Sequence, residues 1–479
     1  MMTAFSLLDP RNDITSREDL ITPMHHHVEG QDFLLASEPD GSMRRVSTAE
    51  AAHLVAASNT TPGVHEVDHV GGHGFSRRGF LKAGSAGLGA MALASSTPRM
   101  AFAATPAGRD LLVVVFLDGA IDWLSGVVPV ADSNYYKARP TIAVQPGDTV
   151  ALNASYGLNK NMAALKPLWD AKQVAIVLGV GNPAVTRSHF DDRLSCEQAA
   201  PSQQRSGWVG RHLASSSAAG GTFRALSMGD RVTTSLTTTA FNAIAMSSVD
   251  EFRLSGMTEI RPAMAKSLQT LFTRAGGQLQ QQSKATLDAI SQIAPVRDKA
   301  YTPAASYPSG VFAAGLKDIA RMAKSSLMLE AAALNFDDWD MHSSLGKATD
   351  PAARFSRNSR ALAQSLAAFA KDLGPLWSKT TVVLMSEFGR RVAENAAGGL
   401  DHGHGNAMMV LGGGINGGIY GSMPALSSSN LVMGDVPIRV DYRRVLSEIV
   451  SHRLANGANL GTVFPGYVQQ PFLGVARRA

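Results

Sequence analysis

The residues best suited to chemistry lie in one late segment, where an acidic residue and two histidines follow a short apolar run. Residues 380–385 are β-branched and apolar, which predicts a strand buried on both faces of a parallel sheet. Glu387 follows this run, and open α/β sheets bind ligands outside the carboxyl ends of their strands. The next loop is rich in glycine and carries Asp401, His402 and His404. Neutral imidazoles and carboxylates at this spacing can converge on one cation, so the segment predicts a metal site.

The alternative for this loop is a solvated surface segment with two exposed histidines. The carboxylate at the preceding strand end and the surrounding glycines favour the metal site. A second pair of potential ligands, Asp340 and His342, occurs earlier in the chain. Side chains two residues apart lie on the same side of an extended segment, so we expect this pair to face one point.

Two further predicted strands also end in polar residues. Residues 110–117 form an apolar run that is followed by Asp118 and Asp122. A helix at 161–172 then leads to a strand at 174–180, and the next loop carries Thr186, Ser188 and His189. Strand, crossover helix and parallel strand form a right-handed βαβ unit, so both strand ends should open on the same edge of the sheet.

The loop after residue 180 offers side chains for a covalent step. Thr186 and Ser188 stand just before a predicted helix whose N-terminus favours anions, and His189 can act as a metal ligand or proton carrier. The alternative is that Ser188 only caps the helix, with Asp191 near the position of a capping-box acid. Both roles stay open at this point.

Composition and periodicity predict an α/β protein with a doubly wound, mostly parallel sheet and helices on both faces. The chain has 479 residues, of which 45% are hydrophobic, and its 45 glycines suit close packing of helices on a sheet. Residues 262–293 and 311–335 show helical periodicity and predict a helical insertion at about 260–335. The net charge of +5 comes without a basic run interleaved with aromatics, which argues against nucleic-acid binding. The single cysteine excludes an intramolecular disulfide and CxxC motifs.

The first hundred residues predict export. Residues 1–74 are polar and without sustained periodicity, so we expect a disordered extension. Residues 75–103 combine Arg77-Arg78, a moderately apolar stretch and a small-residue cleavage site, in the order of a twin-arginine signal peptide. The apolar stretch is too short and weak to be a permanent membrane anchor. We expect the twin-arginine translocase to deliver residues 104–479 to the periplasm or the exterior.

Five motifs in this order resemble a large bacterial family known only as a domain of unknown function. They are FLDGAIDWLSGVVP, GNPAVTRSHFD, DDWDMHS, VVLMSEFGR and LDHGHGNAMMVLGGGINGG, and the resemblance extends over nearly all of the chain after the signal. That family in turn looks like a distant branch of the alkaline phosphatase and sulfatase superfamily. The resemblance implies an alkaline phosphatase-like α/β domain that is metal-binding and sulfatase-like.

The superfamily takes its metal ligands from the end of the first strand, an Asp-spacer-His pair, a strand-end Asp-His and a late histidine. By this resemblance the ligands here would be, in that order, Asp122 or Asp118, Asp340 with His342, Glu387, and His402 or His404. Its nucleophile begins a helix after an early strand, a place that Thr186 or Ser188 fits. Two departures, a strand-end Glu-Phe and a spacer of one residue, leave the number of metals at one or two.

The function that the resemblance implies is an exported metal-dependent hydrolase of phosphate or sulfate esters. Divalent ions would neutralise non-bridging oxygens and activate the attacking group, and oxygen and nitrogen ligands suit Zn, Mn, Mg or Ca. Arg390 or Arg391 would hold an anionic small-molecule or polymer substrate. The alternative is an exported non-catalytic binding or assembly protein that retains the fold, with or without a structural metal.

Overall fold

The computed structural model describes residues 110–201, 204–216, 221–275 and 277–479, together with four short strands before residue 47. Those four strands form a small antiparallel sheet in the N-terminal unit and span Leu7–Leu8, His26–Val28, Gln31–Ser37 and Met43–Val46. The sequence pattern of residues 1–74 predicts no such strands. The predicted signal peptide at 75–103 lies outside the described residues, so it stays a prediction.

The main unit is built on one nine-stranded sheet. Its strands are β1 (Leu111–Leu117), β5 (Val174–Gly181), β6 (Ala225–Met228), β7 (Ile244–Met246), β8 (Ala331–Phe336), β9 (Thr380–Met385), β10 (Asn406–Leu411), β11 (Gly418–Gly421) and β12 (Val440–Asp441). The order is β7-β6-β8-β1-β9-β10-β5-β11, and β12 also pairs with β5. Neighbours are parallel except on the two sides of β10, which runs antiparallel to both β9 and β5. A separate three-stranded antiparallel sheet contains β2 (Val127–Val128), β3 (Thr149–Ala151) and β4 (Gly157–Asn159).

Helices cover both faces of the large sheet. They are α1 (Trp123–Gly126), α2 (Ser133–Ala138), α3 (Lys166–Asp170), α4 (His189–Gln198), α5 (Trp208–Ser215), α6 (Arg261–Ala275), α7 (Gly277–Arg297), α8 (Val311–Ala323), α9 (Arg354–Leu373), α10 (Tyr442–His452) and α11 (Leu460–Val463). Alternate residues of β1 enter two separate cores, because side chains of a strand point to opposite faces. One core contains residues of α8 and α9, and the other contains residues of α5 and α10. The predicted doubly wound, mostly parallel α/β fold is confirmed.

The prediction of one helix over 311–335 is wrong beyond Ala323. Helix α8 ends there, and β8 (Ala331–Phe336) lies in the middle of the large sheet, paired with β6 and β1. Alanine and leucine are good helix formers, but the pairing and burial available between two strands override a propensity of this size. The other predicted long helix, at 262–293, is two helices, α6 and α7.

The strand directions gather the chemically interesting segments at one edge of the sheet. Strands β1, β5, β8 and β9 are parallel in direction, so their carboxyl ends share that edge, and antiparallel β10 begins there. The two predicted βαβ strands, β1 and β5, therefore open on the same edge, with β9 and β10 between them. Within the described parts of the chain, no helix has the length and apolarity needed to cross a membrane.

Candidate metal centre

Three histidines and an aspartate converge at this edge. Potential ligand atoms of His189, Asp340, His342 and His402 all lie within 4.8 Å of one another. His402 is central, because its Nε2 lies 3.0 Å from Nε2 of His189 and 2.9 Å from Nε2 of His342. Asp340 Oδ1 lies 3.1 Å from His342 Nε2, and Asp340 Oδ2 lies 3.6 Å from His189 Nε2. Ligands of one tetrahedral zinc ion lie about 3.3–3.4 Å apart when the bonds are about 2.0–2.1 Å, so these separations suit a single cation.

Each of the four side chains comes from the carboxyl end of a strand or from the loop beyond it. His189 begins α4 after β5, Asp340 and His342 follow β8, and His402 lies in the loop between β9 and β10. A short backbone bridge between Arg390 and His402 closes that loop on itself. The sheet therefore assembles the cluster from segments up to 213 residues apart.

In each of the three histidines of the cluster, Nδ1, the ring nitrogen that faces away from the other ligands, has its own acceptor. Nδ1 of His189 lies 2.6 Å from Oε1 of Glu387, and Nδ1 of His402 lies 2.8 Å from the carbonyl oxygen of Arg187. Nδ1 of His342 lies 3.4 Å from Oδ1 of Asp401. Histidine ligands of metals almost always donate their other N–H in this way, which fixes the tautomer and the ring orientation.

The acceptor of His402 also indicates whether the cluster can bind a cation. A carbonyl oxygen can only accept, so Nδ1 of His402 carries a proton and its Nε2 presents a lone pair in the neutral ring. That lone pair faces two other imidazole nitrogens at 2.9–3.0 Å. A proton on one neighbour would satisfy one of the two contacts, whereas a cation among the three rings satisfies both. The donor set therefore fits a metal ion.

Glu387 is a partner of the cluster, placed behind His189. Its side chain is fully buried, and Oε1 also accepts from the backbone N–H of Gly119 at 2.8 Å, while Ser386 Oγ donates to Oε2 at 2.9 Å. Burial raises the pKa of Glu387, but the His189 hydrogen bond and these donors outweigh burial and lower it. The same contact raises the pKa of His189, whereas burial lowers the pKa of His402. The sequence predicted Glu387 as a metal ligand. In the structure Glu387 does not join the cluster but contacts Nδ1 of the candidate ligand His189.

Phe388 packs against two histidines of the cluster. Its ring is buried and packs against the imidazoles of His189 and His402, with ring centroids 4.9 and 4.8 Å apart. The residue after the strand-end acid thus supports two of the candidate ligands by ring packing.

Arg390 points inward and holds Asp340. The side chain is 1% exposed, and it donates to the carbonyl oxygens of Ala120 and Leu400 and to Asp340 Oδ1 at 2.5 Å. Burial raises the pKa of Asp340, but the Arg390 guanidinium outweighs it and lowers the pKa. The prediction that Arg390 holds a substrate does not fit, because a guanidinium occupied this fully cannot reach an external anion.

Asp401 and His404 lie beside the four-residue cluster without joining it. Asp401 accepts from Asn395 Nδ2 at 2.9 Å in addition to its contact with His342. His404 Nδ1 lies 2.7 Å from Oδ2 of Asp435, a carboxylate with a fully buried side chain. Although His402 and His404 are close in sequence, the structure directs only His402 to the cluster.

Asp118 and Asp122 lie outside the cluster, and each is paired with an arginine. Asp122 forms a buried bidentate contact with Arg139, with its two oxygens 2.5 and 3.0 Å from the guanidinium nitrogens, and it caps α1 by accepting from Ser125. Asp118 is paired with Arg193, and burial raises the pKa of Asp118.

The two candidate hydroxyls have structural partners. Ser188 is the N-cap of α4, and its Oγ accepts from the backbone N–H of Asp191 at 3.3 Å. Thr186 Oγ1 donates to Asp192 Oδ2 at 3.1 Å. His189 is the residue of this loop that the structure brings into the cluster, as a potential ligand.

Sequence reasoning missed Arg187 and Asp435. Arg187 has a φ of 66°, which is uncommon for a residue other than glycine, and its carbonyl oxygen accepts from His402. Its guanidinium donates to Asp435 Oδ2 at 2.7 Å. The neighbourhood of His189 could have drawn attention to Arg187, but no local pattern distinguishes Asp435.

Glycines let the loop between β9 and β10 pack backbone against backbone. A Cβ on Gly403 would lie 2.6 Å from the carbonyl carbon of Arg390, and one on Gly389 would lie 2.0 Å from the carbonyl oxygen of Gly405. Neither position requires a positive φ, so the constraint is close approach. The glycine on each side of His404 therefore permits this close backbone packing.

Comparisons with known proteins give a family and two solved structures. Residues 174–437, more than half of the chain, match the family described as "Protein of unknown function (DUF1501)". A sulfatase from Pseudoalteromonas sp. is 11% identical, over 65% of this chain and 64% of that one, with a TM-score of 0.30. A 2-O GAG sulfatase is also 11% identical, over 65% and 66% of the two chains, with a TM-score of 0.30. The match thus spans just under two thirds of each structure, and among curated proteins none matches the sequence.

Proposed function

The chain belongs to the DUF1501 family, whose function is unknown, and we propose that it is a metal-dependent hydrolase of phosphate or sulfate esters exported by the twin-arginine pathway. One observation carries the proposal: three imidazole Nε2 atoms and the Asp340 carboxylate face one point, while the Nδ1 atom of each ring is engaged elsewhere. Four donors oriented by outer partners are what a resident cation requires.

One zinc ion suits this donor set best. Imidazole is a good ligand for zinc, whereas magnesium and calcium prefer sites built from oxygen alone. Among the described residues a single cluster of this kind is found, which supports one ion rather than two. His189, His342, His402 and Asp340 would hold it.

The cluster is accessible to a substrate from one side. The side chains of Asp340 and His342 are 41% and 47% exposed, whereas His189 and His402 are each 24% exposed and lie against Phe388. A bound divalent ion supplies positive charge against the non-bridging oxygens of an ester and lowers the pKa of a water. The protein's own part is to hold the three rings and Asp340 in place through Glu387, Arg390 and the Arg187 carbonyl.

The nucleophile that this geometry favours is water. The candidate hydroxyls of Ser188 and Thr186 are engaged in the local structure at the start of α4. Their contacts account for both residues without a covalent step, and capping is a common use of serine at this position.

A non-catalytic binding or assembly protein is the second candidate. Four protein ligands around one ion are typical of structural zinc sites, whereas catalytic sites usually have three and an open position. The half-exposed side of the cluster argues for the hydrolase.

Metal analysis combined with an activity panel tests the proposal. We expect the purified full-length protein to hold about one equivalent of zinc and to hydrolyse a phosphomonoester, phosphodiester or sulfate ester in a chelator-sensitive manner. A bound metal without turnover on any of the three would favour the second candidate. Absence of metal after growth and purification with added zinc would refute both roles for the cluster.

A further inference from the structure

We propose that Arg187 and Arg391 form an anion-binding subsite next to the metal cluster, so that the substrate carries a second anionic group beside the ester that is cleaved. Anion binding by the two arginines does not depend on the proposed hydrolase function. The second anionic group of the substrate does rest on that function. The predicted alternatives for the substrate-holding arginine were Arg390 and Arg391, and only Arg390 is consumed by internal contacts.

The subsite is built around Asp435, which is fully buried. Its Oδ2 accepts from Arg187 Nη2 at 2.7 Å and lies 2.7 Å from His404 Nδ1, while its Oδ1 lies 3.3 Å from Arg391 Nε. A buried carboxylate needs a counter-charge, and one guanidinium together with the imidazole N–H would provide it. The second guanidinium is therefore in excess of what Asp435 requires.

The excess donors remain available to a ligand. Nε and Nη1 of Arg187 and Nη1 of Arg391 have no hydrogen-bond partner among the described residues. The side chains of Arg187 and Arg391 are 29% and 39% exposed, so these donors can meet a solute. The two guanidinium groups carry one positive charge more than the Asp435 carboxylate that they share neutralises, and an incoming anion would be attracted to it.

Both arginines adjoin the metal cluster through the backbone around His402. The Arg187 carbonyl accepts from His402 Nδ1, and the backbone N–H of Arg391 donates to the carbonyl oxygen of Asp401 at 2.9 Å. An anion held by these guanidinium groups would thus lie close to the segment that carries His402. Planar guanidinium groups recognise phosphate, sulfate and carboxylate in a bidentate manner, so the second substrate group belongs to this class.

The inference can be tested without metal and without a known substrate. Inorganic phosphate and inorganic sulfate are titrated into chelator-treated full-length protein, with binding followed by calorimetry or by ³¹P NMR for phosphate. We expect Arg391→Gln and Arg187→Gln each to weaken binding of these anions about tenfold, because each removes charge-assisted donors. Arg297→Gln is the matched control, since Arg297 also pairs with an aspartate, Asp298, at the C-terminal end of α7. This variant should bind the anions as the unaltered protein does.

Folding and function are separated by two further measurements. Thermal melting establishes that each variant is folded. If Arg391→Gln unfolds, Arg391→Lys replaces it, because lysine keeps a positive charge beside Asp435 but lacks the planar guanidinium. Arg391→Lys should still weaken anion binding. Failure of the metal-free protein to bind either anion, or unchanged binding in folded Arg187 and Arg391 variants, overturns the subsite. A protein that binds these anions through the two arginines but holds no metal refutes the hydrolase and leaves the subsite standing.

Discussion

His402 is the candidate ligand whose ring nitrogen lies close to both of the other histidines of the cluster. Its Nε2 is near both His189 and His342, and its Nδ1 is tied to the backbone of Arg187. His404, two residues later, is instead tied to buried Asp435. The two histidines therefore have different tasks, which single substitutions can separate.

Replacement of His402 should abolish metal binding, whereas replacement of His404 should not. We expect His402→Ala to lose more than the about 10–100-fold in affinity that removal of an outer partner costs, and to lose the rise in melting temperature that zinc produces. His404→Ala is the matched control and should keep about one equivalent of zinc. Metal content after dialysis, measured by mass spectrometry, distinguishes the two variants. Equal losses of zinc in both would contradict the assignment of His402, and not His404, as a metal ligand.

Ser188 should affect stability and leave turnover largely intact. Its Oγ caps α4, so Ser188→Ala should lower the free energy of unfolding by about 1 kcal/mol. A nucleophile would instead show a fall in kcat of several orders of magnitude with little change in melting. Urea unfolding and kcat on any substrate found in the ester panel are compared in Ser188→Ala and Thr186→Ala. A collapse of kcat in either variant would restore the hydroxyl mechanism.

At the scale of elements, the loop between β9 and β10 depends on glycine for its close backbone packing. Gly403 lies against the backbone of Arg390, and its own N–H donates to the carbonyl oxygen of Gly389 at 2.7 Å. This packing is what places His402 beside the ends of β5 and β8.

Gly403→Ala should therefore disturb the loop and the metal site together. The added Cβ would lie 2.6 Å from a backbone carbon, so the backbone must shift, at a cost of about 1–3 kcal/mol. We expect lower thermal stability and weaker zinc binding. Gly147→Ala is the control, because a Cβ added at Gly147 would have nothing within 4 Å of it. Unaltered zinc affinity in Gly403→Ala would show that the loop tolerates the displacement.

Asp372, near the end of α9, ties that helix to the end of α8 and to the segment before α8. It accepts from the hydroxyls of Tyr301 and Tyr307, at 2.8 and 2.9 Å, and from Lys324 at 2.6 Å. Burial raises the pKa of Asp372, but the Lys324 contact and the other donors outweigh burial and lower it. Its stabilising effect is therefore complete above the unfolded-state pKa of about 3.9 and is lost as the pH falls through the folded-state pKa.

Asp372→Asn should lower the free energy of unfolding at neutral pH, and the decrease should be smaller at acidic pH. The loss should be on the order of 1–3 kcal/mol at pH 7, because the ionised acceptor of several buried donors is removed. The difference in unfolding free energy between the unaltered protein and the variant should be constant from pH 7 to about pH 5 and should narrow as the pH falls below about 4. Urea titrations across this range measure it, and a difference independent of pH would exclude ionisation as the cause.

At the scale of the whole molecule, the chain combines an N-terminal unit with a main unit that carries the candidate site. The proposed export signal, with Arg77 and Arg78, precedes the first strand of the large sheet. A twin-arginine pair is read by a receptor as an address, so charge alone does not replace it.

Export should fail when both arginines become lysines. Arg77→Lys with Arg78→Lys should leave the full-length precursor in the cytoplasm, because the charge is kept but the address is lost. Cell fractionation and the size of the protein on a denaturing gel measure this, with Arg109→Lys as a control outside the pair. Normal processing and release of the double variant would contradict twin-arginine export.

The sequence by itself determined the elements whose signals are local. The apolar runs of β1 and β9 predicted buried strands, and the polar residues after them marked the edge that carries the candidate site. The order of motifs predicted a bacterial family of unknown function, and the comparison assigns the chain to DUF1501. These signals suffice because strand periodicity and strand-end position can be read within a window of a few residues.

Tertiary structure alone decided which of the candidate residues meet. Local sequence does not distinguish His402 from His404 or Arg390 from Arg391, yet one of each pair faces the cluster or its support and the other faces Asp435. Local sequence also does not predict β8. Its alanines favour a helix, but pairing with the strands on both sides stabilises the extended conformation. The physical reason is that contacts between segments some two hundred residues apart depend on strand order and on the path of the loops, which no local pattern encodes.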